Sequence, residues 1–467
     1  MKKLARLMQK KRTLIALAIL LALAAGIACF CQYVQTFSHG ENAPQPTGAQ
    51  RAALAGYLDQ TYPAKRRQIL RPLPYGTTPA NLDIAAASAI LIDTANGCVL
   101  YEKNADEAIP PASIAKLFVM YIAFQEIEAG RIALDDIVPL PENSWAINLP
   151  SDASRMFLGQ GQIVTLRELL RGLAVASGND AAIAVATYIS GSVKDFVARM
   201  NEETQKLGLQ HTHFVEPSGY SEDNITTARE LAAFARVYVN RYPQSLAEFH
   251  SITEIAYPLT ANLAPWMKER GDSMAITQRN TNVLLHTLDG CDGLKTGFIY
   301  ESGFNIALTA QRDGVRYLSV TMRGPGKTTR EGNLYRDRDG RTLMEWAFAS
   351  FADYLPLEHI QPSYPLAVTG GKEHFTRLVP AWTTAISVPH VAGETAHDAA
   401  QQVTATVTMP GYIFGGAHGG ETYGTIEYKL GNIVLETVPL VSDRTVARAG
   451  IWGRFWGTLA GVCLDCR

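Results

Sequence analysis

The chain has 467 residues, which is room for two or three domains. Hydrophobic residues make up 47% of it and charged residues 18%, as in ordinary globular proteins, so extensive disorder is excluded except near the ends. The formal net charge of -2 gives no electrostatic reason to expect a nucleic-acid partner.

The N-terminus has the pattern of a membrane-directed segment. Residues 1–12 include six basic and no acidic residues, and residues 13–31 carry no charge. The apolar stretch is close to the roughly 20 residues that cross a bilayer, and the basic flank should stay cytoplasmic while the rest is exported. We therefore predict a signal anchor over residues 1–34, with a cleaved signal peptide as the alternative, and a location in the cell envelope.

The cysteines do not predict a disulfide framework or a metal site. Two lie in or beside the apolar span and two form a C-terminal CxxC, which is weak evidence for zinc without further ligands. We expect no metal and no cofactor. The six are Cys29, Cys31, Cys98, Cys291, Cys463 and Cys466.

The next segments predict a linker followed by a sheet that is interrupted by helices. Residues 35–85 are rich in Pro, Gln, Ala and Gly, typical of a linker with room for one short helix. Two apolar runs joined at Asn96-Gly97 predict a β-hairpin. From Pro110 to about Tyr242 the periodicity is helical, including a capping box from Thr165 to Glu168.

After residue 290 strand patterns return. Two runs around Asp313-Gly314 predict a second hairpin, a long gap over residues 324–340 follows, and "TLMEWAFASFADYL" predicts a closing helix. Strands at both ends of a helical region predict an α+β domain over residues 86–355, with one sheet and an inserted helical lobe. Short β-rich runs over residues 356–445 predict a small all-β sandwich domain.

The C-terminal residues 446–467 have the composition of an amphipathic helix at a membrane surface. Large apolar residues recur at helical spacing beside Arg448 and Arg454, although three glycines weaken the helix in water. A helix that packs on its own domain is the alternative. The apolar residues are Ile451, Trp452, Phe455, Trp456 and Leu459.

A lysine in an apolar helix is the first sign of chemistry. Lys116 lies three residues after Ser113, and its same-face neighbours at i+3, i+4 and i+7 are all apolar. One interpretation is that Ser113 caps the helix and Lys116 extends its stem to solvent. The other is that a neutral, buried amine accepts the proton of a serine nucleophile.

Two further patterns decide between these interpretations, because an SxxK match is expected about once by chance in such a chain. "SGN" at residues 177–179 lies between two predicted helices, and "KTG" at residues 295–297 precedes a predicted strand pair. Together, in the order SxxK, SxN and KTG, the three patterns form a specific signal.

This set resembles the penicillin-binding protein and serine β-lactamase superfamily, whose motifs are SxxK, SDN and KTG. "PASIAKLFV", "VASGNDAAIAVA", "TTAREL" and "CDGLKTG" are most similar to low-molecular-mass D-alanyl-D-alanine carboxypeptidases related to penicillin-binding proteins 5 and 6, peptidase family S11. The resemblance covers about residues 86–445 and extends to the C-terminal tail. It implies a β-lactamase/transpeptidase-like fold, a peptidoglycan stem peptide as substrate, and β-lactams as covalent inhibitors.

The resemblance also implies roles for the matching residues. Ser113 would attack the bond between the two terminal D-alanines, with Lys116 as the base. Ser177 would relay the proton to the leaving amine, and Asn179 would position the substrate or the lysine. For substrate binding it implies Lys295 for positive charge, Thr296 for the terminal carboxylate, Gly297 for close approach of the substrate backbone, and Phe298 with Ser113 for the oxyanion hole.

Two positions depart from the family or stand outside its motifs. Relatives often carry His after KTG, where this chain has Phe298, so we expect altered substrate preference. Arg279 in "TQRNTN" is a second candidate for binding the substrate carboxylate, with an ordinary surface arginine as the alternative.

Three other functions fit parts of the pattern. A β-lactamase would need a glutamate-bearing loop between the second and third motifs, and "EPSGYSEDN" is a poor match to it. A β-lactam sensor or wall-binding protein would keep all three motifs without turnover. A metallopeptidase would use His211 and His213, which have no convincing third ligand nearby.

Overall fold

The computed structural model describes residues 2–37, 45–62, 70–76, 80–270, 275–356, 363–390 and 396–465. The chain forms two compact units, a larger one of residues 68–354 and 387–401, and a smaller one of residues 1–67, 355–386 and 402–467. The larger unit therefore contains a short segment, residues 387–401, that lies within the range expected for the β domain.

Helices occur throughout the described chain, and those of the middle third form a lobe as expected. The α-helices are α1 (Lys2–Thr36), α2 (Gly48–Thr61), α3 (Lys116–Glu128), α4 (Leu166–Arg171), α5 (Asn179–Ser190), α6 (Val193–Lys206), α7 (Ala228–Arg241), α8 (Pro265–Glu269), α9 (Leu284–Thr287), α10 (Thr329–Ser350), α11 (Ala396–Gln401) and α12 (Ile451–Asp465).

Strands are concentrated before and after the helical lobe and in the last third of the chain. They are β1 (Arg71–Pro72), β2 (Ser88–Asp93), β3 (Cys98–Lys103), β4 (Glu254–Tyr257), β5 (Ile276–Arg279), β6 (Cys291–Ile299), β7 (Gly303–Arg312), β8 (Val315–Gly324), β9 (Phe351–Tyr354), β10 (Tyr364–Thr369), β11 (Phe375–Pro380), β12 (Ile386–Pro389), β13 (Val403–Thr408), β14 (Tyr412–Phe414), β15 (Thr422–Leu430) and β16 (Ile433–Ser442).

The central sheet of the larger unit has the order β1-β3-β2-β8-β7-β6 and is antiparallel apart from the short β1. Both predicted hairpins are confirmed. At the turn between β7 and β8, Asp313 has φ 49° and Gly314 has φ 83°, the left-handed pair that a two-residue hairpin requires. The α+β class with an antiparallel sheet and a helical lobe is confirmed.

Alternate residues of the sheet face two separate cores, as the two-residue period of a strand requires. Ile90 and Ile92 of β2 pack with the helical lobe, including the almost wholly buried α3. Ala89 and Leu91 face the opposite core, which α10 covers. The sheet thus holds α3, and the residues at its N-terminus, in a fixed position.

The predicted gap after β8 is wrong, because α10 begins at Thr329 and includes most of it. Thr328 caps this helix by accepting a hydrogen bond from the Glu331 backbone. A Cβ on Gly332 would lie 1.9 Å from the Phe304 ring, so packing on the sheet requires this helix-weakening residue. The helix also ends earlier than expected, at Ser350, and residues 351–354 form β9.

The smaller unit is built on a second six-stranded sheet, which confirms the small all-β domain. Its order is β13-β15-β16-β11-β10-β14, with α1, α2 and α12 in the same unit. No disulfide joins any two of the five cysteines that the structure describes, and the question of a bond from Cys463 to Cys466 concerns a residue outside the described part.

Helix α12 has two different sides. Gly457 lies against β10, where an added Cβ would be 2.3 Å from the Gly370 nitrogen, so its small residues allow close packing on the sheet. On the other side Ile451, Trp452 and Phe455 are exposed. Packing of this helix on its own unit is therefore observed, and binding of its exposed side to a membrane stays a prediction.

Candidate active site

The turn that carries Ser113 has an unusual backbone that is held by a neighbouring loop. Residues 112–115 form a 3₁₀ turn that leads into α3, which places Ser113 at a helix N-terminus as expected. Ala112 is buried with φ 49°, a conformation that alanine rarely adopts. Gly219 has φ 79° and lies so close that an added Cβ would be 1.8 Å from the Ala112 carbonyl oxygen.

Lys116 is fully buried and contacts the hydroxyl of Ser113. Its Nζ lies 2.9 Å from Ser113 Oγ, donates to Asn179 Oδ1 at 2.8 Å, and donates to the Ser218 carbonyl oxygen. A neutral amine has two N–H donors and one lone pair. In the neutral form these two donors serve Asn179 and Ser218, and the lone pair can accept the Ser113 hydroxyl hydrogen, whereas in the ammonium form the third N–H donates to Ser113 Oγ.

The surroundings of Lys116 favour this neutral form. Burial lowers the pKa of its amine to about 7, against the partly opposing charges of Glu216 and Asp180. A large fraction of the molecules therefore holds an unprotonated amine beside Ser113 near neutral pH. The alternative in which Lys116 extends to solvent is excluded by its complete burial.

The SGN motif lies in a tight turn between a π-helical segment, residues 172–176, and α5. Ser177 has the left-handed φ of 55°, and both Ser177 and Asn179 are buried. The next residue, Asp180, accepts backbone hydrogen bonds from residues 156–158 and 181, which fixes this turn to the adjoining loop. Asn179 is thereby held within reach of Lys116.

The KTG motif lies on β6, which stands at one end of the strand order in the described sheet. Gly297 faces the Ser113 turn, where a Cβ would be 2.8 Å from the Pro111 carbonyl oxygen and 3.1 Å from the Ser113 nitrogen. The structure thus explains the need for a glycine at position 297 differently from the sequence analysis. The glycine lets β6 pack against the turn that carries Ser113, whereas we expected it to admit the substrate backbone.

Lys295 is buried on the same strand and donates to the Thr296 carbonyl oxygen at 2.9 Å. Burial lowers its pKa well below the usual range, and the positive charges of Lys116 and Arg336 lower it further. A ligand carboxylate beside it would reverse this effect, since an anion stabilises the ammonium form.

A cleft of about 500 Å³ opens above Ser113, within the usual size of small-ligand sites. Asn179 of the SGN motif and Phe298, the residue after KTG, line it, and Phe298 is 40% exposed. The other side chains that line the cleft are mostly polar or acidic, namely Asp152, Ser154, Tyr220, Ser221, Glu222, Asp223, Tyr300 and Glu301.

Arg279 does not line this cleft, and Arg336 is the arginine near the KTG motif. Arg279 is an exposed residue of β5, paired across the strands with Glu254. Arg336 is buried in α10 and donates to the Thr281 carbonyl oxygen at 3.0 Å, while the Thr281 hydroxyl bonds to that of Thr296. The sequence analysis missed Arg336 because it predicted a gap over this segment. Without a predicted helix, nothing indicated which way the Arg336 side chain would point.

The structure places the two histidines of the metallopeptidase alternative in different surroundings. His211 Nδ1 lies 3.1 Å from Glu230 Oε1, and His213 forms an isolated β-bridge with Ile225. Among the residues that the structure describes, no three His, Cys, Asp or Glu side chains are grouped closely enough to bind a metal.

Comparison with known proteins agrees with this geometry. A family model described as D-alanyl-D-alanine carboxypeptidase matches residues 75–326. The D-alanyl-D-alanine carboxypeptidase DacC of Escherichia coli (strain K12) is 30% identical over 377 residues, 80% of this chain and 87% of that protein. DacF of Bacillus subtilis (strain 168), another D-alanyl-D-alanine carboxypeptidase, is 29% identical over 376 residues, 80% and 89% of the two chains.

Solved structures show a likeness over the same share of the chain. Penicillin binding protein 5 from Haemophilus influenzae superposes with a TM-score of 0.67 at 27% identity, covering 80% of this chain and all of that one. Penicillin binding protein 6B from Escherichia coli superposes with a TM-score of 0.60 at 28% identity, covering 79% and 98%. With the SxxK, SxN and KTG motifs brought together at Ser113 and Lys116, the chain belongs to the D-alanyl-D-alanine carboxypeptidase family of serine hydrolases.

Proposed function

We propose that this enzyme removes the terminal D-alanine from peptidoglycan stem pentapeptides through an acyl-enzyme on Ser113. The observation that carries the proposal is the 2.9 Å contact between the buried Lys116 Nζ and the Oγ of Ser113, which lines the cleft. This arrangement supplies a nucleophile and its base without histidine.

In the first half-reaction Ser113 Oγ attacks the carbonyl carbon of the penultimate D-alanine while Lys116 accepts the hydroxyl proton. The negative oxygen of the tetrahedral intermediate is stabilised by the backbone N–H groups of Ser113 and Phe298. The C–N bond then breaks, and the proton passes through Ser177 to the leaving amine of D-alanine. Asn179 holds the Lys116 amine in place during both transfers.

In the second half-reaction a water molecule attacks the ester carbonyl of the acyl-enzyme. Lys116, neutral again, accepts a proton from this water and passes it to Ser113 Oγ as the ester C–O bond breaks, which restores the serine hydroxyl and the neutral amine. The products are the shortened stem peptide and the regenerated enzyme. β-Lactams acylate Ser113 by the same attack, with the opened ring as the acyl group.

The terminal carboxylate of the substrate lies beside the KTG motif. Thr296 donates its hydroxyl hydrogen, and Lys295 and Arg336 supply positive charge from below the strand. The lowered pKa of Lys295 supports this role. Burial and the nearby positive charges disfavour its ammonium form, and a bound carboxylate would stabilise that form.

We further propose that the enzyme works at the outer face of the cytoplasmic membrane, in the periplasm where there is one. Helix α1 contains a segment, Gln9–Thr36, whose most apolar 18-residue window has a mean hydropathy of 2.8, and which is long and apolar enough to cross a bilayer. Its basic N-terminal flank supports an orientation with the rest of the chain outside. The exposed apolar side of α12 supports a second contact with the membrane surface.

The activity is tested by incubating the enzyme with a pentapeptide ending in D-Ala-D-Ala and measuring released D-alanine by mass spectrometry. We expect release by the wild type and none by Ser113→Ala. Equal release by both proteins would refute the mechanism. Measuring penicillin turnover separates the alternatives, since rapid multiple turnover indicates a β-lactamase, and acylation without peptide hydrolysis indicates a sensor.

A further inference from the structure

Glu216 is a carboxylate of the helical lobe that none of the family motifs includes. It accepts four hydrogen bonds from its own loop: from Ser218 N at 2.7 Å, Ser218 Oγ at 2.6 Å, Asn224 Nδ2 at 2.7 Å and Ser221 N at 3.3 Å. Both carboxylate oxygens are therefore used to fold the loop of residues 216–224 onto itself.

This loop touches the nucleophile's turn at two consecutive residues. The Ser218 carbonyl oxygen accepts a hydrogen bond from Lys116 Nζ. Gly219 packs against the Ala112 carbonyl group, in the turn that carries Ser113. Because Glu216 holds both the N–H and the hydroxyl of Ser218, it determines where the Ser218 carbonyl points.

We propose that Glu216 is a positioning residue for acyl transfer, which holds the Ser218 carbonyl against Lys116 and sets the charge state of that amine. The inference rests on the proposed function, since it assigns Lys116 as the base that activates Ser113. Glu216 itself touches neither the substrate nor the reacting atoms.

The groups around Lys116 explain why this one carboxylate matters. Asn179 and Ser218 contact the amine as neutral partners, and the charged groups that face it are Asp180 from α5, Glu216 from the loop and Lys295 from β6. Asp180 is fully buried and occupied by four backbone N–H groups. Glu216 is the first of the two carboxylates that raise the pKa of Lys116 against the effect of burial.

The sign of the effect follows from the role of the amine. Lys116 acts as a base only when neutral, so acylation rises with pH through the pKa of Lys116 in the folded enzyme. Removing the negative charge of Glu216 destabilises the ammonium form and lowers that pKa. The pH profile of acylation should therefore move to lower pH when Glu216 is neutralised.

The test compares Glu216→Gln with Glu202→Gln, which removes the same charge from an exposed position on α6. The full chain in detergent is acylated by a fluorescent penicillin, and the second-order rate constant is measured between about pH 5 and pH 9. For Glu216→Gln we expect a lower plateau and a midpoint about one pH unit below that of the wild type. The profile of Glu202→Gln should match the wild type.

An unshifted midpoint in a folded Glu216→Gln enzyme, or an equal shift in Glu202→Gln, would overturn the inference. If Glu216→Gln does not fold, Glu216→Asp decides, because it keeps the charge on a shorter side chain. If the acylation profile of Glu216→Asp has a lower plateau and the wild-type midpoint, the inference is supported. If the plateau equals that of the wild type, or the midpoint falls by about one pH unit, the inference is overturned. Failure of the proposed function is distinct, since the wild type itself would then not be acylated at Ser113.

Discussion

His250 Nδ1 lies 3.1 Å from the carbonyl oxygen of Leu294, the residue that precedes the KTG motif on β6. Its other ring nitrogen, Nε2, lies 2.8 Å from the hydroxyl of Tyr238 in α7. These contacts correspond to a neutral ring with its proton on Nδ1, which donates to the carbonyl while Nε2 accepts from the tyrosine. The ring thus joins the helical lobe to the strand that carries Lys295.

Acidification should weaken this link. Burial lowers the pKa of His250 to about 4 from its usual 6.5, so below pH 6.5 the unfolded chain binds a proton that the folded chain does not. This group alone makes the free energy of unfolding about 2 kcal/mol smaller at pH 5 than at pH 7.5. Unfolding in urea can be monitored by the loss of penicillin labelling. The free energy of unfolding measured in this way should depend less on pH for His250→Gln than for the wild type. If the variant keeps the wild-type slope while the exposed control His286→Gln loses it, the assignment is wrong.

Replacement of Lys116 by arginine should abolish acylation at every accessible pH. A guanidinium keeps the positive charge but does not release its proton below about pH 12, so it cannot serve as the base. The acylation rate constant should fall by at least about 10³-fold, whereas the wild-type rate rises with pH around 7. The matched control is Lys206→Arg, an exposed lysine of α6 paired with Glu203. Efficient acylation of Lys116→Arg would show that charge, and not proton transfer, is the contribution of this residue.

The two arginines are distinguished by the free carboxylate of the substrate. Arg336→Gln should lower kcat/KM for a peptide with a free terminal carboxylate by about 10- to 100-fold, the loss expected for one hydrogen bond to a charged group. For the methyl ester of that peptide the effect should be small, because the charge that Arg336 and Lys295 stabilise is absent. Arg279→Gln should leave both rates near the wild type. A loss of carboxylate preference in Arg279→Gln alone would restore the assignment made from the sequence.

Local patterns predicted much of this site because its key geometry is local. The three-residue spacing from Ser113 to Lys116 on one helix face is enough to predict their contact, and the Asp313-Gly314 turn predicts its hairpin. The third partner of Lys116 is different. The Ser218 carbonyl lies 102 residues along the chain and is a backbone group, so no residue type marks it.

The error over residues 324–340 has a physical cause as well. Gly332 and the many charges of this segment disfavour a helix in isolation, but the glycine is required against the Phe304 ring and the helix covers one face of the sheet. Tertiary packing overrides local propensity here. Without a predicted helix, the direction of the Arg336 side chain could not be inferred. The sequence analysis therefore chose Arg279, which is nearer to KTG along the chain but is exposed.

The exposed side of α12 should bind a membrane without help from α1. In a chain that starts at residue 45, retained penicillin labelling reports that the larger unit is folded, and flotation with anionic vesicles reports binding. Burying a large apolar side chain stabilises by about 1.5–3 kcal/mol, so Trp452→Glu with Phe455→Glu should weaken vesicle binding by more than about 100-fold. The control is Ile433→Glu with Val434→Glu, a pair of partly exposed apolar residues on β16. Undiminished flotation of the α12 variant would leave packing on the sheet, through Gly457, as the only role of this helix.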